Sequence, residues 1–239
     1  MELKVYCDRM SQPSRAILIF CKTNGLEFEE VKIEIGKGQH RSPEYAAEVN
    51  PMKQVPAIVH GDFKLFESHA ILIYLASAFP GVADHWYPAD VRKRAKVHSV
   101  LDWHHSNLRR GSVGFLFNTV FAIAFGMHGD PKAAAEGEKL LLASLATIET
   151  FWLQRDAPFL VGNSKPTIAD LALVCEVMQL EMGDENDRQR ILGPHKKILK
   201  WIEDVKSATA PHFEEINTIL HPARERLKQL KAEATEKSE

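Results

Sequence analysis

The chain has 239 residues and a mass of 27.0 kDa, which lies between the sizes expected for one domain and for two. Hydrophobic residues make up 45% of it and charged residues 26%, as in soluble globular proteins, and this excludes a fibrous repeat or a disordered chain. The formal net charge of −2 gives no electrostatic reason to expect nucleic acid or an anionic membrane as the main partner.

The first 79 residues combine strand and helix patterns. Alternating apolar and polar residues predict strands over 3–7 and 26–35 and a hairpin over 55–66 that turns at Gly61-Asp62. Compact apolar runs predict helices over 13–22, 41–49 and 67–79. The predicted order is therefore βαβαββα.

The second part of the chain shows only helical patterns, predicted over 91–109, 113–125, 131–153, 167–180, 195–207 and 212–230. This change in pattern predicts a domain of residues 1–79, a linker of residues 80–90 and an all-helical domain of residues 91–239. The charged end of the chain, from residue 225 onward, is expected to fray rather than to pack.

The cysteines and the terminal sequence bear on the cellular compartment. Cys7, Cys21 and Cys175 are scattered and form no C-x-x-C pair, which predicts neither a disulfide framework nor a zinc site. The charged amino terminus is unlike a secretory signal peptide. The most apolar stretch, residues 113–127, is shorter than the roughly 20 residues that span a bilayer. We expect a cytoplasmic protein with no membrane span and no nucleic-acid partner.

Short motifs along essentially the whole chain resemble those of the cytosolic glutathione transferases, and most closely the theta class of plant type. They are MSQPSRA, KGQH, NPMKQVPAI, LFESHAILIYL and DHWYP, followed by PTIADLALV in the helical part. The resemblance implies an α/β, thioredoxin-like N-terminal domain and an all-α C-terminal domain. Independently of the resemblance, Thr167 and Asp170 have the spacing of a helix capping box.

The resemblance also implies a function. It implies a detoxifying transferase that conjugates the glutathione thiolate to hydrophobic electrophiles or reduces organic hydroperoxides as a peroxidase. Glutathione is the expected co-substrate, without a metal or another cofactor, and a homodimer is expected. Two alternatives stay open: a non-catalytic binding, carrier or dimerisation module of the same fold, and a thiol transferase that uses Cys7.

The glutathione site is expected in the first domain. The resemblance implies a cis Val55-Pro56 bond that turns the Val55 backbone toward the cysteinyl group, although a trans proline is also common at the start of a strand. Ser68 is a natural N-cap, and with Glu67 it would hold the zwitterionic γ-glutamyl group. Near the glycyl end, the expected contacts are His40 and Arg41, with Lys53 and Gln54 as alternatives for the glycyl carboxylate. Gln12 is a further expected contact.

The sequence offers Tyr6, Ser11 and Ser14 as hydroxyls that could stabilise a thiolate, which is the reactive form of a thiol with a pKa of roughly 8.5. Ser11 precedes Pro13 in a predicted loop, where it could equally cap the helix. The theta resemblance implies Ser11 as the thiolate stabiliser. Ser14 is expected to bond locally within the helix.

The resemblance further implies a positive charge near the sulfur, assigned to Arg109 with Arg110 as the alternative. Arg15 is expected to pair with an acid across the domain interface. The adjacent His104 and His105 lack metal-ligand spacing and are expected at the interface or in the pocket. The electrophile pocket is expected to be walled by the C-terminal helix from residue 212 and by Phe115, Phe117, Phe121 and Phe125, although apolar stripes are more often plain core.

Overall fold

A computed structural model describes residues 1–122, 126–153 and 157–236 of the chain. Its first part alternates strands and helices in the predicted order βαβαββα, which confirms a thioredoxin-like domain. The elements are β1 (Leu3–Cys7), α1 (Gln12–Thr23), β2 (Glu29–Lys32), α2 (Pro43–Glu48), β3 (Ala57–His60), β4 (Phe63–Phe66) and α3 (Ser68–Ala78).

The four strands form one sheet in the order β2-β1-β3-β4. Strand β1 runs parallel to β2 and antiparallel to β3, with Val5 opposite Ile58. The β3–β4 hairpin turns at Gly61, whose φ of 65° lies in the region that glycine adopts without steric cost. Helix α1 is buried along most of its length, and its amino terminus follows the loop after β1, where the site is expected.

The second part is helical. Its elements are α4 (Val91–His104), a π-helical turn (His105–Arg109), α5 (Arg110–Leu116), a second π turn (Phe117–Phe121), α6 (Pro131–Thr147), a third π turn (Ile148–Trp152), α7 (Ile168–Met178), α8 (Glu185–Leu192), α9 (Lys196–Ala208), α10 (His212–Asn217) and α11 (Leu220–Glu236). The segment 80–90 includes a 3₁₀ turn, Asp84–Trp86. The domain limits at residues 79 and 91 stay a prediction.

The helix break predicted between residues 109 and 113 is wrong, because the chain stays helical from 91 to 121. The glycines at this point serve helix packing instead. A Cβ atom on Gly111 would lie 2.5 Å from the Leu141 backbone nitrogen, and one on Gly137 would lie 2.5 Å from that of Phe115. Glycine therefore allows α5 and α6 to approach backbone to backbone, and it does not mark a helix end here.

Helix α8 was not predicted, because its sequence is dominated by charged side chains and only its last two residues are buried. The single predicted helix over 212–230 is divided into α10 and α11. Helix α11 continues to Glu236, although the chain from residue 225 was expected to fray. The predicted end of the 113–125 helix, including Phe125, and residues 237–239 lie outside the described residues.

Arg15 joins the two parts of the chain, but not through an acid as predicted. Its guanidinium is fully buried and donates to the carbonyl oxygens of Arg9 at 3.0 Å, Met10 at 3.2 Å and Cys175 at 3.1 Å, and to Oε1 of Gln179 at 2.7 Å. Four oxygen acceptors replace the expected carboxylate. Arg15 thereby ties the loop between β1 and α1 to helix α7 and to the turn that follows it.

Within the described ranges, no helix is both long and apolar enough to cross a bilayer.

Candidate functional site

A cleft of about 990 Å³ lies between the loops of the sheet domain and the helices of the second part. The loops after β1, after β2 and before β3 line one side of it, together with the amino terminus of α3. The sequence-predicted residues that line the cleft are Ser11, Gln12, His40, Arg41, Lys53, Gln54, Val55, Pro56, Glu67, Ser68, Arg109, Phe117 and Phe121. Residues from distant parts of the chain therefore meet at one place.

Ser11 occupies the N-cap position of α1, yet its hydroxyl makes no capping hydrogen bond. The Ser11 N–H donates to the Asp8 carbonyl oxygen at 2.9 Å. The Asp8 carboxylate in turn accepts from the N–H groups of Met10 and Ile35, each at 2.9 Å. The loop is thus fixed by its own backbone. No group in the described part of the chain binds the Ser11 hydroxyl, which can donate to a group in the cleft at the positive end of α1.

The competing hydroxyls and the thiol of Cys7 lie elsewhere. Tyr6 is not among the lining residues and packs edge-on against Tyr45. Ser14 is completely buried, and its hydroxyl has no hydrogen-bond partner among the described residues, so the local bond predicted for it is wrong. Cys7 lies in the core, where burial raises the pKa of its thiol well above the ordinary value.

The Val55-Pro56 peptide bond is cis, as the resemblance implied. In the described part of the chain, no hydrogen bond occupies the N–H or the C=O of Val55, which precedes strand β3. The adjoining Gln54 carbonyl accepts from the Tyr45 hydroxyl at 2.8 Å and from Nδ2 of Asn50 at 2.9 Å. The loop is thereby held in place, and the Val55 backbone groups can pair with an extended ligand.

The amino terminus of α3 differs by one residue from the prediction. Glu67, with a φ of 69°, occupies the N-cap position, and Ser68 is the first helical residue. The predicted N-cap role of Ser68 is therefore wrong, because the chain turns sharply at Glu67. Both residues line the cleft, where the free N–H groups of the first helical turn can receive an anion.

The basic side chains of two loops lie at the opposite end of the cleft. His40 and Arg41 belong to a 3₁₀ turn, and burial together with the charge of Arg41 lowers the pKa of His40. Lys53 and Gln54 are exposed, and Lys53 has a positive φ of 57°. Arg41 and Lys53 thus give this end of the cleft a positive charge that suits a carboxylate.

Arg109 reaches the cleft from the first π turn, whereas Arg110 is exposed and is not a lining residue. Nη1 of Arg109 donates to Oε2 of Glu176 at 2.9 Å, and Nε2 of Gln12 donates to Oε1 of the same carboxylate at 3.2 Å. His104 lies behind the carboxylate, while His105 lines the cleft. His104 thus lies at the interface and His105 in the pocket, the two positions that were expected for them.

Sequence reasoning missed Glu176. It lies in the middle of the apolar run that follows the capping residue Asp170 in α7, and an acid at such a position is the signal that could have drawn attention to it. Burial alone would raise the pKa of Glu176, but His104, Arg109 and Ser112 together hold it below its ordinary value. The carboxylate is therefore charged at neutral pH although its side chain is only 1% exposed.

The aromatic wall is only partly as predicted. Phe117 and Phe121, at the two ends of the second π turn, both line the cleft, and Phe117 is 39% exposed. Phe115 does not line it, because its side chain is 4% exposed, packs in the main core and borders a separate small cavity. The helix presents these three side chains to different surroundings.

The C-terminal helix closes the remaining side of the cleft. Ala223, Arg226 and Leu227 of α11 are lining residues, so the segment expected to fray supplies part of the wall. The methionines Met10, Met52 and Met182 add further apolar surface that sequence reasoning did not identify. Among the residues that the structure describes, no cluster of three or more His, Cys, Asp or Glu side chains could hold a metal ion.

Comparison of this chain with known proteins shows which family it is similar to. The family described as "Glutathione S-transferase, N-terminal domain" matches residues 1–77. Glutathione S-transferase T1 of Arabidopsis thaliana is 61% identical over 94% of this chain and 91% of its own length. Glutathione S-transferase theta-1 of Mus musculus is 39% identical over 87% of this chain and 84% of its own length.

A solved human structure is also similar. It is a theta-class glutathione transferase in complex with the glutathione conjugate of 1-menaphthyl sulfate, with a TM-score of 0.85 and 33% identity over 96% of this chain and 91% of that chain. This chain spans 40% of the length of two further, longer relatives from Arabidopsis thaliana.

Proposed function

Because the chain belongs to the theta class of the glutathione S-transferases, we propose that it activates glutathione as a thiolate beside Ser11 and transfers it to a hydrophobic acceptor. The observation that carries this proposal is the Ser11 hydroxyl, which has no capping hydrogen bond and lies at the amino terminus of α1, in a cleft that also contains the cis Val55-Pro56 loop. The similar human theta-class structure holds a glutathione conjugate, which supports glutathione as the ligand of this family member.

We propose one orientation for glutathione in the cleft. Its γ-glutamyl carboxylate would rest on the hydroxyl of Ser68 and the first N–H groups of α3, with its ammonium facing Glu67. The cysteinyl backbone would pair with the N–H and C=O of Val55. The glycyl carboxylate would then lie toward Arg41 and Lys53, with His40 and Gln54 beside it. In this direction the charges of the tripeptide and of the cleft are complementary.

The chemistry requires a deprotonated thiol. A hydrogen bond from the Ser11 hydroxyl and the positive end of α1 both favour the thiolate over the thiol, and the Arg109 guanidinium adds positive charge at the cleft wall. The thiol proton is released to solvent. The sulfur then forms a bond to the electrophilic carbon, and the leaving group departs with its bonding electron pair.

The acceptor would lie against Phe117, Phe121, Leu227 and the methionine side chains, which favour an apolar molecule. An organic hydroperoxide fits the same wall. In that reaction the thiolate attacks the peroxide, the O–O bond breaks, and a second glutathione yields glutathione disulfide, the alcohol and water. We propose glutathione as the only co-substrate, and a homodimer in the cytoplasm as the working form.

The test is an assay of purified protein with glutathione and two acceptors, an aralkyl halide and cumene hydroperoxide. We expect turnover of at least one acceptor that depends on glutathione and saturates with it. A protein that binds glutathione by calorimetry but turns over neither would instead be a binding or carrier module. The presence of Ser11, Val55 and Ser68 together in the cleft favours the enzyme, because a carrier does not require a hydroxyl that can stabilise a thiolate.

The alternative of a cysteine-based thiol transferase predicts a different result when the cysteine thiols are alkylated. Burial raises the pKa values of Cys21 and Cys175 to about 12, and all three cysteines are buried. We expect the native protein to resist iodoacetamide at neutral pH, and all three thiols to react once the chain is unfolded in urea, as counted by mass spectrometry. Rapid labelling of native Cys7 would favour the cysteine mechanism over Ser11.

A further inference from the structure

Glu176 connects two residues of the cleft wall without lining the cleft itself. It lies on α7, and its carboxylate accepts from Gln12, which follows Ser11 in the sheet domain, and from Arg109 in the helical domain. One oxygen serves each partner. The two halves of the cleft wall are therefore held by a single buried carboxylate.

The negative charge of Glu176 stabilises its contact with Arg109. An unpaired buried carboxylate is costly, so the ion pair with Arg109 is the arrangement that the interior favours. The other groups that face the carboxylate are Arg15 on α1, Ser112 on α5, and the neighbouring His104 and His105. Arg15 is occupied by its four oxygen acceptors.

A pair of buried histidines lies behind Glu176, and one of them contacts its carboxylate. Nε2 of His104 lies 3.5 Å from Oε2 of Glu176, and Nδ1 of His104 lies 3.1 Å from Nε2 of His69. Burial, followed by the influence of His104, lowers the pKa of His69 to about 2, so that His69 is neutral. His104 and Arg109 thus both contact the carboxylate, and Arg109 is the one that reaches the cleft, where its guanidinium is fixed at one end and 34% exposed.

We propose that Glu176 is a positioning residue for glutathione activation, which holds Arg109 and Gln12 against the cleft so that the guanidinium faces the sulfur. This inference rests on the proposed function. Glu176 acts through its two partners and does not touch glutathione. A positioning role and a direct electrostatic effect of Glu176 predict opposite shifts of the thiol pKa.

The test is Glu176→Gln, with the pH dependence of kcat/KM for glutathione conjugation as the readout. Loss of the ion pair lets Arg109 move away, so the bound thiol should ionise about one pH unit higher, and below that pH the rate should fall about tenfold. A direct effect has the opposite sign, because removal of a negative charge near the sulfur would lower the thiol pKa. A shift downward, or no shift, overturns the proposal.

The matched control is Glu181→Gln. Glu181 is also paired with an arginine, Arg188 at 2.7 Å, but it lies outside the cleft, and its replacement should leave the pH profile unchanged. A second control separates positioning from stability. Arg109→Ala leaves Glu176 buried without its partner, so adding Glu176→Gln to it should raise the melting temperature, yet shift the thiol pKa no further. An additional shift would show that Glu176 acts independently of Arg109 and would overturn the proposal.

Wild type and Ser11→Ala belong in the same series. If wild type forms no thiolate on binding glutathione, the proposed function and the positioning role fail together. If Ser11→Ala loses the thiolate while Glu176→Gln keeps the wild-type profile, only the positioning role fails. Circular dichroism of each variant verifies that the fold is retained.

Discussion

Replacement of Ser11 with alanine is expected to lower kcat/KM for glutathione conjugation by about a hundredfold or more, which is the usual cost of removing one positioned donor from a developing anion. The Ser11 loop keeps its shape in the variant, because it is held by backbone hydrogen bonds to Asp8 and by Arg15 rather than by the hydroxyl. Glutathione should therefore still bind through Val55 and Ser68. Calorimetry of binding and steady-state rates across pH measure the two effects separately.

Ser14→Ala is the matched control for this experiment. Ser14 lies three positions further on in the same helix, completely buried and with no partner for its hydroxyl in the described part of the chain. Its removal relieves an unsatisfied polar group, so stability should be equal or slightly higher and the rate unchanged. Wild-type activity in Ser11→Ala would contradict the role of this hydroxyl and direct attention to Arg109 alone.

Replacement of Asp170 with alanine is expected to destabilise the folded protein by about 3 kcal/mol or more. The fully buried carboxylate accepts from the N–H groups of Leu160 at 2.9 Å and Thr167 at 2.7 Å, from the Thr167 hydroxyl at 2.9 Å and from Nε1 of Trp201 at 2.9 Å. Alanine would leave these donors buried without an acceptor. Urea unfolding monitored by tryptophan fluorescence measures the loss.

The control is Asp130→Ala, which removes the exposed N-cap of α6. Asp130 accepts from the N–H groups of Lys132 and Ala133, and water can replace it there. The expected loss is about 1 kcal/mol, the ordinary value of a helix cap. Equal losses for the two variants would mean that Asp170 contributes only as a cap and that its bonds to Leu160 and Trp201 add nothing.

Much of the fold was predictable because it depends on local patterns. The alternation in 3–7 and the turn at Gly61-Asp62 correctly indicated a strand and a hairpin, and the spacing of Thr167 and Asp170 correctly indicated a capping box, which the structure contains. The errors arose where tertiary packing decides. A helix break was predicted between residues 109 and 113, but the helix continues there, and Gly111 lies where α6 approaches closely.

The candidate site was predictable in its membership but not in its connections. The motifs around Ser11, Val55-Pro56 and Glu67-Ser68 indicated which loops to bring together, and these residues do line one cleft. Motif matching could not find Glu176, because its role depends on partners 67 and 164 positions away in the sequence.

The sequence by itself determined the order of strands and helices, because hydrophobic periodicity, turn residues and helix caps act over a few neighbouring residues. The resemblance of its motifs to those of the glutathione transferases indicated the family and the loops that form the cleft. Only the tertiary structure decided that Arg15 binds four oxygen atoms instead of an acid, and that Phe115 packs in the core while Phe117 faces the cleft. Those outcomes depend on which groups from distant segments meet in the interior. There, each buried donor and each buried charge must find a partner, and the choice of partner is a property of the packed molecule.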